Sequence, residues 1–427
     1  MTAMTTSGKA PTSAVGTCAV GMGTFSILTA LYFAQGLPFG FFTQALPVVL
    51  RDSGFSLFAI SATGILFAPW ALKFLWAPVV DRYGTRRRWL LTLQLSSSAL
   101  ALGMACLDLD STLRWLFVGI AMMNVLSATQ DVATDGLAVE RIGPRQRGPG
   151  NAIQVGAYRV GMIAGGGGLL YLFSIAGWRG LFVAMAIALL ACTIPVWWLP
   201  RTGESRAPRP AASPATTAVA WWSRLRRPGI VALILLIGAY KFGDSMGSSL
   251  IGPFLTDSGL SLSQIALVKG VLSSLGALAG AAAGGWVAYR YGRRSALLIG
   301  GISQTASLGL YLASSMEIGG FGLIVTACLA EHVFGGVATV AVFTVMMDAA
   351  EIAHAGSDYT LLACSIVVVQ GVAGLAAGLI GDLAGYPMLF ATSVVASAIG
   401  CAVMVLALDR GVGPAGVHAT LRATSAT

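Results

Sequence analysis

Charge is scarce in this chain. Of 427 residues only 10% are Asp, Glu, Lys or Arg, and histidine occurs three times. Soluble domains carry about a quarter charged residues, so a soluble enzyme is excluded. The six cysteines, Cys18, Cys106, Cys192, Cys328, Cys364 and Cys401, stand singly in or beside apolar runs with no CxxC spacing, and read as small hydrophobes. No nucleotide loop, nucleophile elbow or zinc motif is present, which speaks against hydrolytic chemistry and against a cofactor. No His, Cys or carboxylate set has metal-ligand spacing, so no bound metal is expected. What fills the chain is apolar: 56% of residues are hydrophobic and the mean hydropathy is +0.79. Its solvent is mostly lipid.

One stretch occurs twice. Leu50-Arg51-Asp52-Ser53-Gly54-Phe55-Ser56-Leu57 returns 205 residues later as Leu255-Thr256-Asp257-Ser258-Gly259-Leu260-Ser261-Leu262. A second pair, Asp81-Arg82-Tyr83-Gly84-Thr85-Arg86-Arg87-Arg88 and Tyr289-Arg290-Tyr291-Gly292-Arg293-Arg294, is offset by 208, and each member follows a long apolar run. A duplicated, all-α integral membrane protein of two six-helix bundles is the simplest reading. A hydrocarbon core of ~30 Å takes ~20 helical residues, and twelve runs meet that length: 22–48, 57–80, 89–107, 114–138, 152–175, 179–199, 229–251, 262–288, 295–315, 318–347, 359–381 and 386–408. Expected domains are an N-terminal tail 1–21, a first bundle 22–199, a Pro/Ala/Arg-rich linker 200–228, a second bundle 229–408 and a C-terminal tail 409–427. The first apolar run is too long for a signal peptide core and stays as span 1.

Lys and Arg in short loops stay on the cytoplasmic side. Arg82, Arg86, Arg87, Arg88, Arg141, Arg145, Arg147, Arg290, Arg293 and Arg294, with six arginines in 201–228, fall on one face, against Arg51, Arg114 and Arg179 on the other. Both termini are therefore expected in the cytoplasm. Topology and anionic lipid account for the net charge of +9, and no nucleic-acid partner is implied. The loop after span 10 breaks the rule, with Asp348, Glu351, His354 and Asp358 and no cation.

Ionisable residues within spans are costly and mark candidate sites. Asp131 and Asp135, four apart, share one helix face, and Lys73 and Arg159 are the candidate balancing cations. This set reads either as a proton-coupling site or as a buried ion-pair cluster that locks one conformation, and a gate that breaks and reforms is both. Lys241 and Asp244 can neutralise each other on one face of span 7 or face a solute at the midplane. Lys269 in span 8 completes the cations. In span 10, adjacent Glu331 and His332 point about 100° apart, so one can face a cavity and either can exchange protons. Gln35, Gln44, Pro38 and Pro47 mark span 1, beside an aromatic cluster of Phe39, Phe41 and Phe42 that reads as packing. Tyr32, Gln130, Gln154, Tyr158 and Tyr240 add neutral donors and acceptors suited to a polar, partly aromatic solute. The glycines Gly165 to Gly168, Gly280, Gly284 and Gly285 read as close helix packing.

The segment Asp81 to Arg88, with its echo after span 8, resembles the loop signature of the major facilitator superfamily. Lys73-Phe74-Leu75-Trp76-Ala77-Pro78-Val79-Val80-Asp81-Arg82 and Gln130-Asp131-Val132-Ala133-Thr134-Asp135-Gly136 resemble motifs shared by AmpG-type muropeptide permeases, acetyl-CoA transporters and RhtX/FptX-type siderophore permeases. The expectation is a monomeric, proton-coupled secondary transporter of the bacterial inner membrane, with Asp81, Arg82, Asp131, Asp135, Lys73 and Arg159 as the residues of proton coupling or gating. The second-half echo lacks an Asp at the place of Asp81, so that role does not carry over there. Length, the absence of an added pair of spans and the form Asp-x-x-x-Asp-Gly-Leu-Ala favour import of a ferric siderophore-like chelate as the small-molecule partner. The rivals are a muropeptide or peptide-like permease, an exporter of amphiphiles, and a receptor that does not transport.

Overall fold

The computed structural model describes residues 22–46, 66, 68–107, 113–199, 223–260, 262–265, 268 and 272–425. Pro47, the first copy of the repeated stretch, the start of span 2, Lys269, Cys18, most of the linker and the side chain of Gln44 lie outside the described residues. Among the described residues all regular structure is helical. In hydrocarbon this follows from the backbone, because a helix pairs every interior N–H and C=O within its own segment.

Twelve spans are recognisable among these residues. Span 1 is Met22–Gly40, continued by a π-helical turn Phe41–Ala45. The described part of span 2 is broken, running through Ala68–Leu72, Lys73–Leu75 and Ala77–Arg82. Span 3 is Arg86–Ala105 and span 4 Leu113–Arg141. Spans 5 and 6 form one continuous stretch interrupted at Gly177, spans 8 and 9 meet at Gly292, and spans 11 and 12 at Gly385. These three corners have φ of 62°, 80° and 75° with ψ close to 180°, a region essentially reserved for glycine. Span 7 is Ile230–Ser249 and span 10 Gly320–Ala349. Leu235, Ile187, Val368, Leu375, Leu379 and Leu383 stand exposed on the outside, as lipid-facing positions do.

Spans 5 and 11 start earlier than the hydropathy suggests, at Arg147 and Ala355, because their first turns are polar yet buried at a junction between the halves. Residues Ala415–Ser425 form a further helix, whose Val417 is fully buried in the largest apolar core.

That core is continuous across both halves. It joins Leu28, Val80, Leu90 and Val139 of the first to Ala296, Met346, Tyr359 and Leu408 of the second. Three smaller cores each stay within one half, one holding Phe41, Met104 and Phe182, another Phe254, Tyr311 and Phe390, the third Met246 and Leu389. The halves are thus sealed at the end carrying the basic loops, and keep separate cores elsewhere.

Spans 1 and 5 touch backbone to backbone. A Cβ on Gly36 would lie 2.1 Å from the carbonyl oxygen of Tyr158, and one on Gly165 would lie 1.9 Å from that of Leu37. Only glycine permits this approach, and it fixes where Tyr158 and Arg159 stand relative to Tyr32 and Phe39.

Candidate functional site

A cavity of about 410 Å³ lies between the two halves. Tyr32, Lys73, Asp131, Asp135, Gln154, Tyr158 and Arg159 line it from the first half, so seven of the residues singled out in the sequence converge on one space. The Lys73 ammonium pairs with Asp131 and sits 5.5 Å from the centre of the Trp70 ring. Asp135 accepts hydrogen bonds from the Tyr32 hydroxyl at 2.9 Å and from Gln154 Nε2 at 3.2 Å. Both carboxylates are buried, and each is answered by a donor from another span. Phe39 packs edge-on to Trp70 with ring centres 5.6 Å apart and lies 5.7 Å from Tyr158, forming an aromatic wall. The expected packing role of Phe41 holds against Phe182, whereas Phe39 faces the cavity.

Arg159 differs from the expectation that it balances the aspartates. It makes no ion pair among the described residues, in which Asp131 pairs with Lys73 and Asp135 is held by Tyr32 and Gln154. Gln35 and Gln130 stand behind the cavity wall: Gln35 donates to Thr134 Oγ1 at 2.8 Å, and Gln130 is buried. Lys241 and Asp244 pair with each other at 2.6 Å and do not line this cavity. Glu331 and His332 do not line it either; their side chains approach to 2.5 Å, and His332 Nδ1 is also 3.0 Å from the Cys328 carbonyl oxygen.

Thr339, Phe343, Tyr359 and Gln370 of the second half complete the cavity and were not singled out in the sequence. The repeat carries a signal for one of them. Tyr359 stands 205 residues after Gln154, and its hydroxyl donates to Gln154 Oε1 at 3.2 Å.

The sealed end is held by two related ion clusters. In the first, Arg86 bonds Asp81 at 2.6 Å and Glu140 at 2.9 Å. Asp81 also accepts from the backbone N–H of Gly356 and Ser357 at 3.2 and 2.7 Å, and from the Ser357 hydroxyl at 2.5 Å. A carboxylate of one half thereby caps the first turn of span 11 in the other, where unpaired N–H groups and the helix dipole favour an anion. Arg82 flanks Asp81 at the end of span 2. In the second cluster, fully buried Asp348 accepts from Arg293 at 2.9 Å and pairs with Arg147 of span 5 at 2.5 Å. Asp348 stands 208 residues after Glu140, the second repeat spacing, whereas the same spacing carries Arg86 to Arg294, which pairs instead with Asp409 at 2.9 Å. Thr420 of the C-terminal helix adds a hydrogen bond to Asp348 at 3.0 Å. Arg224 and Arg227, just before span 7, reach Glu351 at 2.8 and 3.0 Å. The acid-only loop that broke the charge pattern is thus the partner of cations from elsewhere.

A membrane carrier built of two six-helix bundles around a cavity lined by aromatic and charged side chains is the class that this fold and site define. The chain belongs to the Major Facilitator Superfamily, whose family model matches residues 28–243. It is similar to an anhydromuropeptide permease of Escherichia coli strain K12, at 29% identity over 388 residues, which covers 89% of this chain and 79% of that protein. An uncharacterised protein of Haemophilus influenzae is 30% identical over 386 residues, covering 84% of this chain and 88% of the relative. Among solved structures, the fucose:proton symporter of Escherichia coli superposes with a TM-score of 0.69 at 12% identity, over 91% of this chain and 98% of that one. The protein is a multi-pass secondary transporter and not an enzyme.

Proposed function

We propose that this permease imports an anhydromuropeptide-like solute, a sugar bearing a peptide, across a bacterial inner membrane with the proton gradient as driving force. The observation that carries the reading is the similarity, over 89% of the chain, to a permease named for that solute. The cavity suits it. Aromatic rings from Phe39, Trp70 and Tyr158 offer apolar faces for a sugar ring, and amides and hydroxyls from Gln154, Gln370, Thr339 and Tyr359 offer hydrogen bonds to a peptide. The siderophore expectation rested on motif form and length, and it gives way because the named relative points to muropeptides.

In this reading Asp131 and Asp135 carry the proton, and Lys73 holds Asp131 while no proton is bound. Asp81 and Arg82 belong to the gate, while Lys241, Asp244, Glu331 and His332 serve the second half in another conformation. The sealed basic end is the cytoplasmic one, so the cavity is that of an outward-facing state. Residues 22–199 and 229–408 would rock about it as rigid halves joined by the linker 200–228, in a monomer. Labelled anhydromuropeptide taken up by right-side-out vesicles, with ferric siderophores and unlabelled muropeptide as competitors, tests the substrate. Competition by muropeptide alone is expected; competition by a chelate would restore the siderophore reading.

A further inference from the structure

We infer that Arg159 is the docking point for an oxyanion of the transported solute, a carboxylate or a phosphate. The inference rests on the central cavity being the solute site. Four ionisable groups of opposite sign face that cavity: Lys73, Asp131, Asp135 and Arg159. Three of them are already engaged. Lys73 is committed to Asp131, and Asp135 is held by Tyr32 and Gln154. Arg159 is half-buried in the cavity wall and makes neither an ion pair nor a hydrogen bond among the described residues. An arginine at bilayer depth is retained where it meets water or an anion, and the nearest carboxylates have other partners.

The chemistry of a guanidinium is specific. A guanidinium presents a planar fork of donors that matches two oxygens of one carboxylate or phosphate, and it does not lose its proton. Position adds to this. Arg159 follows Tyr158, whose backbone is clamped against Gly36, so the base of its side chain is fixed by the contact between spans 1 and 5. Tyr158 and Phe39, with ring centres 5.7 Å apart, line the same cavity. A solute that carries an oxyanion one or two bonds from an apolar or sugar ring would satisfy the guanidinium and the aromatic wall together. A neutral sugar would leave the guanidinium desolvated and unanswered as the cavity closes, which disfavours it. Arg159 thus acts as a charge selector, separate from the Lys73–Asp131–Asp135 group that handles the proton.

Binding to the purified full-length transporter in lipid nanodiscs tests this. The probes are an anhydromuropeptide with free peptide carboxylates, the same compound with those carboxylates amidated, glucose 6-phosphate and glucose, each against wild type, Arg159→Gln and Arg159→Lys. Wild type should prefer a charged probe over its neutral counterpart by roughly tenfold or more, the scale of charge-assisted hydrogen bonding. That ratio should fall to about one in Arg159→Gln and recover in part in Arg159→Lys, which keeps the charge but not the fork. Binding of the sugar phosphate without either muropeptide would uphold the anchor and sink the muropeptide reading. Equal affinity for charged and neutral probes in wild type, or a ratio that survives in Arg159→Gln, would overturn the anchor. So would failure of wild type to bind any charged probe. The wild-type ratio decides the matter even where the glutamine variant does not fold.

Discussion

At the scale of single residues, the arrangement around Asp131 sets a sharp energetic expectation. Lys73 and Asp131 are both buried, so removing one leaves the other charged and uncompensated, at a cost of about 3–5 kcal/mol. Lys73→Gln is therefore expected to lower thermal stability markedly, and Lys73→Gln combined with Asp131→Asn to regain most of it; equal melting temperatures for the single variant and wild type would contradict the pair. Asp135→Asn keeps the shape and the neighbours Tyr32 and Gln154, and is expected to leave binding measurable while abolishing the response of uptake to a pH gradient. On the loop between spans 10 and 11, burial raises the Glu351 carboxyl, but the hydrogen bond from Arg224 and the charges of Arg227 and Arg224 outweigh it and hold the group below the usual carboxylate range. A lowered folded value means that this contact helps the sealed end fully above an unfolded value of about 4.3 and fades as pH falls below that. Proteolysis within 349–355 should accordingly be flat from neutral pH down to about 5 and rise only in stronger acid.

At the scale of elements, two contacts determine whether the cavity forms. A methyl on Gly36 would lie 2.1 Å from the Tyr158 carbonyl oxygen, which is backbone and cannot swing aside. Gly36→Ala should force spans 1 and 5 apart, with a loss of about 1–3 kcal/mol and weaker solute binding, both read on the purified variant. The helix Ala415–Ser425 is the second contact. It buries Val417, packs Gly416 against the Asp348 carbonyl and hydrogen-bonds the Asp348 side chain through Thr420. Truncation after Pro414 removes all three, and the basic end should then admit a thiol reagent faster to a cysteine placed at Thr344; an unchanged labelling rate would show that the helix braces nothing.

At the scale of the whole molecule, the two halves are locked at one end by the clusters of Asp81 and Asp348, each joining residues of both halves. Asp348→Asn should loosen the Arg147 and Arg293 contacts and shift the population toward the opposite opening, seen as shorter distances between spin labels on the non-basic ends of spans 1 and 7. Much of this architecture is legible in the sequence. Span number follows from apolar run length, and the first-half cavity residues announce themselves because a charge inside a span has few explanations. The second-half contribution is harder to read, since Thr339, Phe343 and Gln370 are ordinary in a membrane helix and gain meaning only through the cavity they face. For Arg159 the sequence places two cations near two carboxylates, and the geometry pairs Lys73 with Asp131 while Asp135 is held by Tyr32 and Gln154. Arg86, Arg147 and Asp348 read as loop charges, yet they are buried, because the sealed end folds the loop edges into the interface.

The most direct measurement of the central claim is accumulation of labelled anhydromuropeptide in right-side-out vesicles with and without an imposed inward proton gradient, for wild type and Asp135→Asn side by side. Gradient-dependent accumulation in wild type that disappears in the variant is the expected result. Uptake that ignores the gradient in wild type, or that responds to it equally in both proteins, would contradict proton-coupled import through this cavity.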